Sequence, residues 1–268
     1  MQPFELVRPK SLAEAHAAFV ADDESRYLAG GMSLIPTMKL GLVAPSRVID
    51  LSLIPNLSSI VHENDTIAIG AMAKHCDVAR NPIINQYLSG LSLLAGGIGD
   101  RQVRNRGTIG GSVANNDPAA CYPSAILSLD ATIYTNFRQV EASKFFLGLF
   151  ETALRDGEML TGLRFNVPKG SHYVKFHQKA SRFALVGVFA SVTNDQKWRV
   201  AVTGACSHVF RVREYEGVLD AGGGPQDFPD EFASPPMNAD IHGSADYRRH
   251  LVRVISSRAV GQLMRSLA

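Results

Sequence analysis

The stretch Gly107-Thr108-Ile109-Gly110-Gly111-Ser112-Val113-Ala114-Asn115-Asn116-Asp117-Pro118 constrains this chain more than any other. Its residues are chosen for backbone freedom and small hydroxyls rather than bulk. Paired glycines let the main chain turn and approach a ligand with no Cβ in the way, and Thr108 and Ser112 add hydroxyls on either side. Taken alone, such a pair reads equally as a tight turn or as a cradle for an anionic cofactor.

An upstream element changes that balance. Arg26-Tyr27-Leu28-Ala29 reads as a short strand running into Gly30-Gly31-Met32-Ser33 and then an apolar helical stretch, Leu34 to Leu40. Strand, glycines and helix, in that order, present free main-chain N–H groups to phosphate oxygens, and Ser33 is placed as an N-cap. Neither a Walker lysine pattern nor a G-x-G-x-x-G dinucleotide fingerprint is present. Two separate glycine elements, each rich in hydroxyls, can grip one diphosphate from two sides.

Around these elements the sequence predicts a strand at Phe4 to Val7 and a helix opened by the capping box Ser11-Leu12-Ala13-Glu14. Further strands are expected near 45–51, 66–70, 131–134 and 159–167, and helices over 75–87, 91–98, 119–129 and 144–154. After Pro168 and Gly170 the rhythm changes to three alternating strands, at 173–179, 184–193 and 198–203, and a long amphipathic helix from Tyr247 to Leu267. A domain boundary near residue 170 follows, giving 1–170 and 171–268.

Composition excludes several partners. With 27 basic and 25 acidic residues, the net charge is only +2, and no basic block tracks a nucleic-acid backbone. No apolar run approaches the length of a membrane span, so a cytoplasmic location is the expectation. The three cysteines, Cys76, Cys121 and Cys206, are too few and too scattered for an iron–sulfur cluster, so any cluster belongs to another subunit. The eight histidines show no metal-ligand spacing, and no nucleophile–base set can be nominated. Arg101, Arg104 and Arg106 suit a solvated basic loop as well as a phosphate or partner contact.

At Ala29-Gly30-Gly31-Met32-Ser33-Leu34-Ile35-Pro36 and at Gln102 to Asn105, Gly107 to Ser112 and Ala114 to Ala120, the chain resembles the two FAD loops of the medium, flavin-binding subunits of molybdenum hydroxylases. That family includes carbon monoxide dehydrogenase and xanthine dehydrogenase. Lys175-Phe176, Lys179 to Ala184 and Ala245 to Arg249 resemble the start and the last helix of its C-terminal domain.

The resemblance implies an α+β fold: an FAD-binding domain of the vanillyl-alcohol-oxidase (PCMH) type, then a small α+β domain like that of carbon monoxide dehydrogenase flavoproteins. It implies electron transfer within a heterotrimer, paired as a dimer of heterotrimers. A small subunit would carry [2Fe-2S] clusters, a large one the molybdopterin cofactor, and this chain FAD, with a quinone, NAD, dioxygen or a carrier as acceptor. Residue by residue, it implies that Ala29, Gly30, Gly31, Met32, Ser33, Leu34, Thr108, Ile109, Gly110, Gly111 and Ser112 hold the pyrophosphate through N–H groups and hydroxyls. Leu160 would border the isoalloxazine ring and Lys179 would make a polar flavin contact. Cys121 stands where the family commonly has an acidic residue bonded to a cofactor hydroxyl. A self-sufficient FAD oxidoreductase and a non-redox nucleotide-binding module remain alternatives.

Overall fold

The computed structural model describes all 268 residues and is α+β in architecture. Strands Glu5–Val7, Arg47–Asp50 and Ser25–Leu28 form a small parallel sheet in that spatial order. Parallel neighbours need crossover connections, and helices Leu12–Val20 and Leu34–Lys39 lie in them. Ser11 caps the first helix by accepting the Glu14 N–H, but the Glu14 carboxylate accepts the N–H of Lys10 rather than that of Ser11. The capping box therefore closes one residue early.

A five-stranded antiparallel sheet follows, in the order Ile60–Glu63, Thr66–Gly70, Leu160–Asn166, Thr132–Thr135, Gln139–Glu141. The short helices His75–Arg80, Pro82–Tyr87, Ser89–Gly96, Arg101–Arg106, Ile109–Asn115 and Tyr122–Ser128 lie between its second and fourth strands in sequence. Ile67, Ile69, Ile133, Leu163 and Phe165 of the sheet share one buried core with Leu91, Leu94, Val113 and Ile126 of those helices. That core is what sets the glycine stretch against the sheet.

The remainder builds a four-stranded antiparallel sheet, Gly170–His177, Ala184–Val192, Trp198–Thr203 and Phe210–Arg211, with helices Arg213–Asp220 and Ala245–Leu267. Strand Ala184–Val192 is buried along its whole length. Its alternate residues face opposite layers: Val186, Val188 and Ala190 join Leu251, Ile255 and Val260 of the last helix, whereas Phe189 enters the first core. Ser191 also faces that way, its hydroxyl bonded to the Ser128 carbonyl at 2.9 Å. The two sheets are thus joined by buried side chains rather than by a linker alone.

Several expected elements take another form. The helix foreseen over 75–87 is broken at Asn81, which is extended (φ −65°, ψ 127°) because it precedes Pro82, and whose side chain caps the next helix. The helix foreseen over 144–154 is instead a hairpin, Phe146–Gly148 with Glu151–Thr152. Asn116 reaches in from the C-terminal end of helix Ile109–Asn115 and donates its amide to the carbonyls of Gly148 (2.9 Å) and Glu151 (2.7 Å), fixing a shape that the local pattern does not encode. Arg101, Arg104 and Arg106, for which a solvated loop is one of two sequence readings, lie on helix Arg101–Arg106, capped by Asp100, which accepts the Val103 N–H at 2.8 Å. Helix Arg213–Asp220, not foreseen in the sequence, buries Tyr215 and Leu219 together with Glu216, which pairs with Arg211 at 2.7 Å.

Gly217, exposed in the middle of helix Arg213–Asp220, gives a simple check on its assignment. A Cβ there meets nothing within 4 Å. Gly217→Ala is expected to stabilise the chain by about 0.5–1 kcal/mol, seen as a higher thermal midpoint; an unchanged or lower midpoint contradicts the helix.

Candidate cofactor site

Strand Ser25–Leu28 delivers Gly30 and Gly31 to the start of helix Leu34–Lys39. Gly31 takes a left-handed backbone (φ +73°), which favours glycine. Gly30 is glycine for want of space: a Cβ would lie 2.2 Å from the Arg106 carbonyl oxygen and 2.7 Å from Gly107 Cα. The first arm therefore lies directly on the backbone of the second. None of the N–H groups from Gly30 to Leu34 donates a hydrogen bond within the chain, and Ser33 makes no cap bond with its hydroxyl. This run of unpaired donors is what an anion requires.

The second arm is used differently from the expectation. Thr108 caps helix Ile109–Asn115 by accepting the Gly111 N–H at 3.1 Å. The Ile109 and Gly110 N–H groups donate to Ala73 and Ala71 carbonyls, each at 2.9 Å. Main-chain donors at 109–111 are thus consumed inside the fold. Gly110 is glycine because the helix leans on Ala71, 2.5 Å from the position of an added Cβ, while Gly111 faces Ala29 of the first arm at 3.5 Å. The arm leaves the Thr108 N–H without an acceptor in the chain and presents Ser112 and Asn115 on the wall of a cavity.

That cavity, about 830 Å³, lies between the arms and has the size of a cofactor site. Ala29, Gly30, Gly31, Met32, Ser33, Leu34, Thr108, Gly110, Gly111, Ser112, Cys121 and Leu160 line it. Ile109 and Lys179 do not. Ile109 is wholly buried in the first core, pulled there by the helix that Thr108 starts. Lys179 lies exposed in the turn after strand Gly170–His177; the lysine on the wall is Lys175, within that strand. Its ammonium donates to the carbonyls of Gly97 (2.7 Å) and Arg182 (3.0 Å) and lies 3.6 Å from Cys121 Sγ. A register shift at the end of the strand separates the two lysines, so spacing alone could not choose between them.

One wall is apolar, with Met72, Leu154, Met159 and Leu160; another carries Cys121, Lys175, Ser181 and Arg182. The second sheet holds that polar wall in place. The Pro118 carbonyl accepts from Gly204 N–H and the Thr203 hydroxyl, both at 2.8 Å, and the same hydroxyl reaches the Ala120 carbonyl at 2.7 Å. Residues from both halves of the chain therefore build one site.

Two buried groups on the wall, an imidazole and a carboxyl, titrate well below neutral pH. Burial, helped by the Arg104 charge, pushes His75 down to about 4, so it is a neutral imidazole, and its Nδ1 has no partner. For Glu158 burial alone would raise the carboxyl, but bonds from Arg138, the Arg155 N–H and Thr135 outweigh it and hold the group at about 2. Glu158 is a spoken-for carboxylate that fixes the approach to Met159 and Leu160. His75 had no sequence signal, because its role depends on Gly107: its main-chain N–H donates to the Gly107 carbonyl at 3.0 Å. No group of three or more His, Cys, Asp or Glu side chains is arranged to hold a metal ion, the three cysteines are unpaired, and no helix is long and apolar enough to cross a membrane.

The cavity's features fit FAD. Unpaired N–H groups at the centre suit a pyrophosphate, the apolar wall suits a fused ring system, and glycines at the contact allow close approach of the backbone. Comparisons with known proteins agree. The family model described as the FAD binding domain in molybdopterin dehydrogenase matches residues 2–169. The chain is 31% identical to the nicotine 6-hydroxylase medium subunit of Paenarthrobacter nicotinovorans, over 94% of each chain. It is 32% identical to the glyceraldehyde dehydrogenase medium chain of Sulfolobus acidocaldarius, over 96% of each. Among solved structures, quinoline 2-oxidoreductase from Pseudomonas putida 86 superposes with a TM-score of 0.91 at 26% identity, covering 99% of this chain and 98% of that one. Carbon monoxide dehydrogenase from Hydrogenophaga pseudoflava gives 0.88 at 30% identity, covering all of both chains. With its two glycine arms closing on one cavity and this match over most of its length, the chain belongs to the family of FAD-binding domains of molybdopterin dehydrogenases.

Proposed function

We propose that this chain is the FAD-carrying electron-transfer subunit of a heterotrimeric molybdenum-dependent hydroxylase or dehydrogenase. A large subunit with the molybdopterin cofactor oxidises the substrate, and a small subunit relays electrons through [2Fe-2S] clusters. The observation that carries the reading is the unpaired N–H run from Gly30 to Leu34 facing a cavity whose opposite lip is Gly110–Gly111. FAD, when bound, supplies the exchange between single electrons from the clusters and electron pairs for an external acceptor.

This chain's residues bind, orient and shield. Gly30 to Leu34, the Thr108 N–H and Ser112 hold the pyrophosphate; Leu160, with Met159 and Leu154, backs the isoalloxazine ring; Cys121 and Lys175 border the nucleotide portion. No side chain acts as nucleophile or general base. His75 and Glu158, the imidazole and the carboxylate buried on the wall, titrate well below neutral pH, which favours an electron carrier over a self-sufficient oxidase. The same reading takes residues 1–170 as the FAD-binding domain and 171–268 as the carbon monoxide dehydrogenase flavoprotein-like domain, in a cytoplasmic dimer of heterotrimers that delivers electrons to a quinone, NAD, dioxygen or a carrier.

Tagged chain isolated with its natural partners tests this. The expected preparation is yellow and contains a polypeptide with iron and acid-labile sulfide and another with molybdenum; a yellow monomer that oxidises a small molecule unaided contradicts it. Cys121 offers a finer test. Its sulfur lies 3.6 Å from the Lys175 ammonium, so a carboxylate at this position has a cation to pair with. Cys121→Asp is expected to retain FAD at least as well as the natural chain in a fluorescence titration. Clearly weaker retention contradicts the placement of a cofactor hydroxyl here.

A further inference from the structure

The three thiols of this chain sit in different electrostatic settings. Cys206 is buried, its S–H directed to the Pro235 carbonyl at 3.3 Å, and burial pushes it up to about 12. Cys76 lies 3.4 Å from the Asp77 carboxylate, and burial together with that carboxylate raises it. Both environments oppose a thiolate. Cys121 is the thiol with an ammonium beside it, Lys175 Nζ at 3.6 Å, and the three polar neighbours of that ammonium are two carbonyls and this sulfur. The cation is placed to stabilise negative charge on sulfur during attack.

A second, separate observation concerns the neighbouring phenols. Tyr122 and Tyr173 share the buried core with Cys121, the Tyr173 hydroxyl has the Cys121 sulfur as its polar neighbour, and neither hydroxyl bonds a nitrogen or an oxygen. An unpaired buried hydroxyl beside a thiol is a donor waiting for an acceptor, and an oxygen added to sulfur would supply one. The sulfur also lines the cavity assigned to the cofactor.

We propose that Cys121 is an oxidant-reactive thiol, activated by Lys175 and shielded by bound FAD, whose oxidation by hydrogen peroxide and capping by a small thiol block cofactor loading. The shielding rests on the FAD reading above; the reactivity does not. In the first step the sulfur attacks one peroxide oxygen, the O–O bond breaks and the S–O bond forms. The thiol proton and the leaving hydroxide end as water, so sulfur is oxidised by two electrons to a sulfenic acid and peroxide is reduced. In the second, a small thiol attacks that sulfur, forming a mixed disulfide and releasing the oxygen as water. The added group occupies space that the nucleotide needs.

The full chain, stripped of FAD or reloaded with it, is treated with hydrogen peroxide and dimedone, or with iodoacetamide, and labelling at each cysteine is followed by peptide mass spectrometry. In the stripped chain Cys121 is expected to react at least about tenfold faster than Cys206, Lys175→Met to slow it about tenfold, and Lys175→Arg to restore it. Peroxide followed by glutathione should abolish FAD reloading until a reductant is added, whereas reloading of Cys121→Ser should be insensitive to the treatment. Labelling of Cys121 no faster than that of Cys206 overturns the proposal in the unmutated chain, whatever the variants do. Equal labelling with and without demonstrably bound FAD overturns the shielding and relocates the cofactor, while failure to bind FAD at all sinks the functional reading instead.

Discussion

Gly30→Ala is expected to weaken FAD binding by about 100-fold while leaving a folded chain. The added Cβ would stand 2.2 Å from the Arg106 carbonyl oxygen and 2.7 Å from Gly107 Cα, and neither is a side chain that can rotate away. The two arms must separate. Overpacking of this kind costs about 1–3 kcal/mol, and the separation falls on the spacing that the proposed grip on one pyrophosphate requires. Gly111→Val widens the same gap from the other side, since its Cβ faces Thr108 Oγ1 at 2.9 Å and Ala29 at 3.5 Å. The ratio of flavin to protein absorbance, with a fluorescence titration and a circular-dichroism melt, reads binding and folding separately. Flavin at wild-type occupancy in Gly30→Ala contradicts the two-arm grip.

The second large effect is predicted for Glu158, whose side chain is fully buried and bonded to Arg138, Thr135 and the Arg155 N–H. Its folded carboxyl titrates at about 2 against an ordinary 4.5. A depressed carboxylate contributes stability above its unfolded value and loses it as pH falls through the folded one. About 3 kcal/mol is therefore present at neutral pH and disappears between about pH 4.5 and pH 2. Glu158→Gln should be less stable than the natural chain by about 3 kcal/mol at pH 7 in urea unfolding, with the difference shrinking toward pH 2. A difference that stays flat with pH contradicts the pairing. Because Glu158 leads into Met159 and Leu160, the variant should also loosen the apolar wall.

What the sequence made legible is local. The Ser11 cap, the strand-to-glycine transition at Leu28–Gly31, the alternation in the second sheet and the long last helix all follow from residues within a turn or two of one another. What it concealed depends on contacts across the chain. The donors of Ile109 and Gly110 look free in the sequence, yet they are taken by Ala73 and Ala71 at the end of a strand pairing with Leu160–Asn166. The hairpin at 146–152 is shaped by Asn116, itself in a left-handed conformation at the end of the glycine helix. Lys175 rather than Lys179 reaches the cavity because it lies within the strand beside Cys121, whereas Lys179 falls in the exposed turn beyond the strand. Glu216 is buried in its helix because Arg211, on the neighbouring strand, pairs with it at 2.7 Å, a contact that local pattern does not announce. The two arms were visible as composition; the division of labour between them, free donors on the first and close packing on the second, became visible only in three dimensions.

Direct quantification of bound flavin is the plainest test of whether FAD occupies the cavity between these arms. The full chain is purified with excess FAD, freed of unbound cofactor, denatured, and its released flavin identified and measured against protein. Equimolar FAD in the natural chain, falling steeply in Gly30→Ala at unchanged secondary structure, is the predicted result. A folded natural chain that releases no flavin after reloading contradicts the account.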